Sequence, residues 1–220
     1  MQRPEPMSDF FRDRLEDYDT HMIEEVEGCR AAYARVAELL PEGLSHLLDL
    51  GCGTGLELAP ILARFPTLAV NGIDCSGPML ARLREKFPEH GERICLVAGD
   101  FRRMKLGIPF FGAAISFQAM HHLTREEKAE LYPRIREALR AGGVYIEADY
   151  MLRDEAEADR LLREANAARA EHGIPEGEAV HLDIPLTVDA EIALLKAAGF
   201  AEVSEVYAEG NTVILVAKKE

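Results

Sequence analysis

The chain has 220 residues, of which 48% are hydrophobic and 29% are charged. This balance supplies both a core and a hydrated surface, excludes intrinsic disorder over most of the chain and, at this length, predicts one main domain. Acidic residues (39) outnumber basic ones (25) and give a formal net charge of -14, which disfavours a broad nucleic-acid-binding surface because it repels phosphate groups.

Cysteine usage and hydropathy point to a cytoplasmic protein. The cysteines lie too far apart for a CxxC pair and match no zinc-site spacing, so we expect buried thiols in a reducing compartment and no metal site. The first residues lack an apolar signal core, and no stretch has the roughly 18 apolar residues that span a bilayer. The sequence therefore predicts a soluble protein without a membrane partner.

Short β-like runs alternate with helical patterns, which is typical of a parallel sheet flanked by helices. Strands are predicted at 46–50, 68–74, 94–98, 112–116, 144–148, 201–207 and 212–217. Helices are predicted in the N-terminal stretch, after each of the first two strands, and at 124–139, 153–172 and 188–198. The Ala-rich 153–172 helix has only a thin apolar stripe, so we expect it to cover the domain rather than to lie in its core.

Local signals mark the ends of several elements. Thr124, followed three residues later by Glu127, fits a capping box. The pair Gly142-Gly143 is expected to end this helix before the fifth strand. Near the C-terminus, Gly210-Asn211 predicts a tight hairpin, so the last strand should run antiparallel to its neighbour.

The strongest chemical signal is the segment Asp49-Leu-Gly-Cys-Gly-Thr-Gly55, which follows a strand and precedes a helix. Glycines let the backbone turn sharply and let a ligand approach, and a helix start offers unpaired N–H groups. An ordinary βα turn is the alternative, and three alternating glycines disfavour it. The third glycine comes one position early for a GxGxxG dinucleotide fingerprint, so a nicotinamide-dependent dehydrogenase is a poor fit.

Acidic residues also end the second and third predicted strands. Asp74 lies where doubly wound folds hold the two hydroxyls of a ribose, although an Asp after a strand is also a common helix cap. Asp100-Phe101 offers a carboxylate for an adenine amino group and a ring to pack on the base; the alternative is a turn Asp beside a core Phe. Both acids end strands that follow the glycine-loop strand, so they lie at positions equivalent to that of the loop.

These segments together resemble a class I S-adenosylmethionine-dependent methyltransferase of the small-molecule branch, over about residues 10–220. The matching segments are the glycine loop 49–55, Gly72-Ile-Asp-Cys-Ser-x-x-Met-Leu80, Gly99-Asp-Phe101, Ile115–Leu123 and Ala138-Leu-Arg-Ala-Gly-Gly-Val144. The resemblance implies a Rossmann-like α/β fold: a mostly parallel seven-stranded sheet, an antiparallel last strand and helices on both faces.

The resemblance also implies the cofactor, S-adenosylmethionine, and its product S-adenosylhomocysteine. The cofactor-binding residues predicted from the matching segments are Asp49, Gly51, Cys52, Gly53, Gly55, Asp74, Cys75, Met79, Asp100, Phe101, Phe117 and Gln118. The single domain is expected to comprise an N-terminal helical cap (1–42), a cofactor-binding core (43–152), a helical lid (153–186) and a C-terminal helix with a hairpin (187–220).

Residues that act on the methyl acceptor are expected at the ends of strands four and five and in the N-terminal helix. The candidate catalytic residues are His121, His122 and Tyr18, and the candidate substrate contacts are His21, Glu147, Asp149 and Tyr150. A structural role for one histidine, and a place on the sheet rim for the two acids, are the alternatives. His181 is interpreted as a surface residue, with a substrate contact as the alternative, and the basic cluster Arg102-Arg103-x-Lys105 is interpreted as solvated.

The leading hypothesis is therefore methyl transfer to a small-molecule acceptor, and the oligomeric state, a homodimer included, is left open. No Asn/Asp-Pro-Pro-Tyr/Phe signature follows strand four, which disfavours methylation of base amines, and the paired metal-binding acids of catechol-type enzymes are not recognisable. Two alternatives keep the cofactor: a non-catalytic regulatory module that binds it, and an enzyme that methylates tRNA or protein.

Overall fold

The computed structural model describes residues 3–175 and 177–220. Its strands are β1 (His46–Leu50), β2 (Ala69–Asp74), β3 (Ile94–Ala98), β4 (Phe111–Phe117), β5 (Leu139–Tyr150), β6 (Glu202–Glu209) and β7 (Thr212–Lys218). They form one seven-stranded sheet in the order β3-β2-β1-β4-β5-β7-β6. Strands β1 to β5 pair in parallel, whereas β7 runs antiparallel to both β5 and β6. The predicted fold class, with its antiparallel last strand, is confirmed.

Helices cover both faces of the sheet. They are α1 (Met7–Asp13), α2 (Tyr18–Glu24), α3 (Cys29–Leu39), α4 (Leu58–Arg64), α5 (Gly77–Lys86), α6 (Arg125–Ala138), α7 (Glu155–Glu171) and α8 (Val188–Ala197). One buried apolar cluster packs α3, α4 and α5 on one face, and a second packs α6 and α8 on the other. Strand β4 lies between these layers and is buried along its whole length, as expected of a central parallel strand.

Most local signals behave as predicted, and one does not. The capping box forms: Thr124 Oγ1 accepts from the N–H of Glu127, whose side chain accepts from the N–H of Thr124. The hairpin also forms, with Gly210 at a φ of +56° in a two-residue turn. The pair Gly142-Gly143 does not precede β5 but lies inside it, because β5 begins at Leu139 and its pairing with β4 is irregular there.

The N-terminal residues fold back over the carboxyl ends of the parallel strands. Pro6 forms an isolated antiparallel bridge with Val180, the N–H of Met7 donates to the carbonyl of Ala179, and the N–H of His181 donates to the carbonyl of Glu5. We call α1 together with residues 178–183 the roof. In the described parts of the chain, no helix combines the length and the apolar character that a membrane crossing requires.

Candidate active site

Two adjoining cavities lie beneath the roof, at the edge of the sheet where the parallel strands end. The first, which we call the glycine-loop cleft, is lined by predicted cofactor residues from the ends of β1, β2 and β3: Gly51, Gly53, Asp74, Cys75, Met79, Asp100 and Phe101. Gln118, which follows β4, also lines it. Met7, Phe11 and Val180 of the roof cover this cleft and leave about 80 Å³ of open volume, which is less than small-molecule sites usually have.

The glycine loop brings backbone, not side chains, to the floor of this cleft. Gly51 has a φ of +76°, a conformation that L side chains rarely adopt. A Cβ atom at Gly51 would lie 2.6 Å from the Cβ of Ala119, which is too close for two carbon atoms. Glycine is therefore required here for two reasons, the backbone conformation and the close approach of the segment after β4.

Asp74 fastens the glycine loop to the end of β2. One carboxylate oxygen accepts from the N–H of Gly53 at 2.9 Å, and the other accepts from the N–H of Ser76 at 2.7 Å. Burial raises the pKa of the Asp74 carboxyl, although these two hydrogen bonds oppose the shift. A carboxylate has about four lone-pair directions, so each oxygen keeps one for a ligand hydroxyl.

Asp100 belongs to an ion-pair chain that the sequence did not predict. The guanidinium of Arg102 contacts the Asp100 carboxylate at 2.8 Å and the Glu127 carboxylate at 2.5 Å. The interpretation of Arg102 as a solvated residue is wrong, because its side chain is mostly buried between these two acids. Arg103, its neighbour, is exposed as expected.

Four predicted cofactor residues do not reach the wall of this cleft: Asp49, Cys52, Gly55 and Phe117. Asp49 is fully buried beside Glu57, and within residues 3–175 and 177–220 no N–H or hydroxyl group donates to either of its carboxylate oxygens. Burial and the neighbouring Glu57 raise its pKa well above the ordinary value, and burial likewise raises the pKa of Glu57 to about 7. The side chain of Phe117 stacks on Tyr33 in the core instead.

The buried-thiol interpretation also holds only in part. Cys29 and Cys52 are buried, Cys75 is half-buried in the wall of the glycine-loop cleft, and Cys95 is exposed on β3. Strand β3 is the edge of the sheet, so one of its faces is open to solvent. The sequence shows the strand but not its place at the edge.

The second cavity has a volume of about 950 Å³, and we call it the histidine cavity. Five of the seven predicted acceptor-side residues line it: Tyr18, His21, His121, His122 and Tyr150. The roof residues Phe10, Phe11, His181 and Asp183, together with Arg14, complete the wall near them. His181 stacks on the ring of Phe10 at 3.4 Å, so its interpretation as a surface residue is wrong.

Asp149 organises the cavity from behind its wall. One oxygen accepts from the backbone N–H groups of Met120 and His121, at 2.6 and 3.1 Å, and so holds the turn that follows β4. Its other oxygen lies 2.5 Å from Nδ1 of His121. Burial lowers the pKa of His121, but the carboxylates of Asp149 and then Asp183 outweigh burial and raise it to about 9.

Two neighbouring histidines, His122 and His181, differ from His121 in charge. Burial and the neighbouring positive charge of His121 lower the pKa of His122. Burial and then His122 lower the pKa of His181 to about 4, against the opposing effect of Asp183. At neutral pH, His121 is therefore cationic, whereas His122 and His181 are neutral.

Glu147 does not reach either cavity, in contrast to its prediction as a substrate contact. Its carboxylate is fully buried on the α6 side of the sheet, where it accepts hydrogen bonds from the hydroxyls of Tyr132 and Tyr145. Lys128 and Glu191 form a buried ion pair beside it. Glu147 and Asp149 do project on the same side of β5, as the alternation predicts, but only Asp149 lies close enough to the strand end to meet the histidines.

Phe11, Tyr18, Gln118 and His122 line both cavities and form the wall between them. Gln118 has a φ of +48°, which is rare for a residue other than glycine and typical of functional sites. Burial, followed by the charges of Glu57 and Asp74, raises the pKa of Tyr18, so its hydroxyl stays protonated. Phe11 carries no local sequence signal, since only the folding of α1 onto the roof brings it here.

The residues of the glycine-loop cleft fit S-adenosylmethionine, the cofactor that the sequence resemblance implies. At the floor, Gly51 exposes backbone to the cleft, and a Cβ atom there would lie against Ala119 and Phe101, which also line it. The buried Asp74 carboxylate keeps lone pairs for ribose hydroxyls, and Phe101 supplies an aromatic wall. These are the donor and acceptor types that a nucleoside requires.

Known proteins are similar to this chain in sequence. A family model for methyltransferase domains matches residues 47–143. An uncharacterized methyltransferase of Geobacillus sp. (strain WCH70) is 30% identical over 166 residues, which are 74% of this chain and 76% of that protein. A carboxy-S-adenosyl-L-methionine synthase of Chromohalobacter salexigens is 29% identical over 190 residues, which are 80% of this chain and 69% of that protein.

Solved structures share the fold at low sequence identity. An O-methyltransferase family protein from Burkholderia thailandensis has a TM-score of 0.70 at 19% identity, and human N-acetylserotonin methyltransferase in complex with S-adenosylmethionine has a TM-score of 0.62 at 18% identity. Each match covers 95% of this chain, which spans only 59% and 55% of those two proteins. From its similarity to the Geobacillus protein over three quarters of both chains, and from the fold and the domain match, this chain belongs to the class I S-adenosylmethionine-dependent methyltransferases.

Proposed function

We propose that the protein transfers a methyl group from S-adenosylmethionine to a small-molecule acceptor that binds in the histidine cavity. The observation that carries this proposal is the wall of four residues that separates this cavity from the glycine-loop cleft. A volume of about 950 Å³ lies in the range of small-molecule sites, roughly 300–1,000 Å³. The names of the Chromohalobacter and human proteins also refer to small molecules.

On the cofactor side, we assign binding to the glycine-loop cleft. S-adenosylmethionine supplies an electrophilic methyl group when bound, so the protein has mainly to align the donor and the acceptor. The backbone of Gly51 and Gly53 allows close approach, Asp74 accepts from the ribose hydroxyls, and Asp100 with Phe101 holds the adenine. The roof excludes water from this cleft once it has closed.

On the acceptor side, Tyr18, His121 and His122 are the proposed catalytic residues. All three face the histidine cavity, and two of them, Tyr18 and His122, also face the cleft. His21 and Tyr150 are proposed as acceptor contacts in the same wall. Asp149 is a positioning residue, because it touches the cavity only through the imidazole of His121.

Calorimetry with S-adenosylhomocysteine tests the cofactor assignment. We expect Asp74→Asn to weaken binding by roughly 10- to 150-fold, because hydrogen bonds to a charged acceptor contribute about 1.5–3 kcal/mol. Asp159→Asn, an exposed carboxylate on α7, is the matched control and should bind like the wild type. Equal affinities of the two folded variants, checked by circular dichroism, would exclude the ribose role of Asp74.

A screen for methyl transfer from radiolabelled cofactor tests the reaction. Methylation of a compound from a metabolite library is the expected result, and Tyr18→Phe should slow turnover while leaving cofactor binding within about threefold. Labelling of tRNA or protein alone, or cofactor binding without any transfer, would contradict the proposal and would support one of the two alternatives that the sequence left open.

A further inference from the structure

Three potential metal ligands meet at the polar end of the histidine cavity. His121, His122 and Asp183 each offer one ligand atom, and these atoms lie within 4.8 Å of one another. All three residues line the cavity. No sequence spacing predicts this cluster of His121, His122 and Asp183, because Asp183 lies some sixty residues from the two histidines.

The distances within the cluster are longer than hydrogen bonds require. Oδ1 of Asp183 lies 3.5 Å from Nε2 of His121 and 3.3 Å from Nδ1 of His122. Direct N–H···O hydrogen bonds are about 2.7–3.2 Å long. Two ligands of one tetrahedral ion, each about 2.1 Å from it, are separated by roughly 3.4 Å. The two separations from Asp183 are therefore also those of atoms that share an ion.

Asp149 supplies the outer support that metal-binding histidines usually have. Its Oδ1 atom is 2.5 Å from Nδ1 of His121, so this nitrogen carries a proton and Nε2 is turned toward Asp183. Such carboxylate–histidine pairs fix the tautomer and the ring orientation of a metal ligand. Asp149 itself is buried and held by three backbone N–H groups.

We propose that His121, His122 and Asp183 bind a divalent transition-metal ion, with zinc the best match to two imidazoles and one carboxylate. Three protein ligands leave a fourth position open, which is the arrangement of catalytic rather than structural zinc sites. Ion binding would displace the Nε2 proton of the cationic His121, and the Nδ1 proton of His122 that faces Leu182 and Asp183. Asp183 is 47% exposed, so the ion reaches the site through the open side of the cavity.

The site also indicates the class of acceptor, and this step rests on the proposed function. All three ligands line the cavity, so an oxygen of the acceptor would reach the fourth position from there. Coordination lowers the pKa of an acceptor hydroxyl, which releases its proton to solvent. The oxygen then takes the methyl group as the C–S bond of the sulfonium breaks and the O–C bond forms. The predicted acceptor class is therefore a hydroxyl compound.

Cobalt titration of tag-free protein, dialysed against chelator, tests the ion site directly. We expect one equivalent of Co²⁺ to bind with a visible band of a four- or five-coordinate ion, and Zn²⁺ to displace it. Asp183→Asn should weaken binding by at least about tenfold, and Asp149→Asn by roughly 10- to 100-fold. His46→Ala removes a histidine at the opposite end of β1 and is the matched control, which should bind like the wild type.

The two proposals fail separately. Asp74→Asn should lose affinity for S-adenosylhomocysteine and keep the cobalt band, whereas Asp183→Asn should do the reverse. Wild-type protein that binds Co²⁺ more weakly than about 100 µM would overturn the ion site, and so would equal affinities of Asp183→Asn and His46→Ala. In that event the cluster is a cationic His121 held between two aspartates, and the proposed methyl transfer stands unaffected.

Discussion

The glycine-loop cleft and the histidine cavity share a wall but are built in opposite ways. The cleft takes its shape from backbone at the ends of β1 to β3, and its main contacts join residues within about 25 positions of one another, such as Gly53 and Asp74. The cavity takes its shape from side chains of α1, α2, the turn after β4 and residues 178–183. Apart from the roof and the four residues of the shared wall, different parts of the chain therefore form the cleft and the cavity.

Polar groups are also treated differently in the two regions. Behind the cleft, no N–H or hydroxyl group of the described residues donates to the buried oxygens of Asp49 or to Oε1 of Glu57. Behind the cavity, both oxygens of Asp149 have partners, and the acid keeps its charge because His121 and its other donors lower its pKa against the effect of burial. Charge is therefore a cost in the first region and a structural support in the second.

Removing the charge of Asp149 should have the largest effect on stability. We expect Asp149→Asn to lower the free energy of unfolding by about 3–5 kcal/mol, because the change leaves the buried cationic His121 without its main partner. Urea unfolding measures this loss, with Asp189→Asn, an exposed carboxylate on α8, as the control. The affinity of the folded protein for S-adenosylhomocysteine should stay within about threefold; a larger change would mean that the two regions are coupled.

Glu57→Gln should have the opposite sign. The folded protein raises the pKa of Glu57 from 4.5 to about 7, so its contribution to stability falls as the pH rises between these values. Above pH 7, this pKa shift lowers the free energy of unfolding by roughly 3 kcal/mol. Glutamine has no charge to bury, so the variant should be more stable than the wild type by up to about that amount near pH 8 and by little near pH 4.5.

Urea unfolding at the two pH values measures the gain, and Glu130→Gln, an exposed residue of α6, is the control. A stabilisation that is the same at both pH values would contradict the assignment, since it could not come from ionisation of Glu57.

The same contrast explains what the sequence could and could not predict. The sequence predicts Gly51, Gly53 and Asp74 as cofactor contacts because local signals mark their positions. Each lies in a short segment with a strand end, a sharp turn and a helix start. Asp183, Phe11 and the burial of Arg102 were missed because they depend on contacts across tens of residues. Glu147 shows the middle case, since alternation fixed its side of β5 but not its depth along the strand.

Gly51→Ala tests the backbone character of the cleft, and Gly43→Ala is its matched control. Both glycines have positive φ, at +76° and +68°, so either change costs roughly 1–2 kcal/mol of strain. Of these two, only at Gly51 does the new Cβ also meet another atom, the Cβ of Ala119 at 2.6 Å, whereas no atom of the described residues lies within 4 Å at Gly43.

We therefore expect Gly51→Ala to be less stable than Gly43→Ala by about 1–3 kcal/mol and to lose cofactor affinity as well. Thermal unfolding and calorimetry with S-adenosylhomocysteine measure the two differences. Equal losses of stability in Gly51→Ala and Gly43→Ala would show that backbone strain alone matters. Ala119 would then shift away from the new Cβ atom at no cost in free energy.

The smallest effect separates a local signal from a long-range one at the same helix end. Thr124→Ala removes only the cap of α6 and should cost about 1 kcal/mol of unfolding free energy, with no change in cofactor affinity. Glu127→Ala removes its half of the same capping box and also the partner of Arg102, which in turn holds Asp100 in the cleft. If the cleft depends on that chain of charges, only Glu127→Ala weakens binding of S-adenosylhomocysteine; equal binding by the two variants would mean that Asp100 keeps its place through the backbone of its own turn.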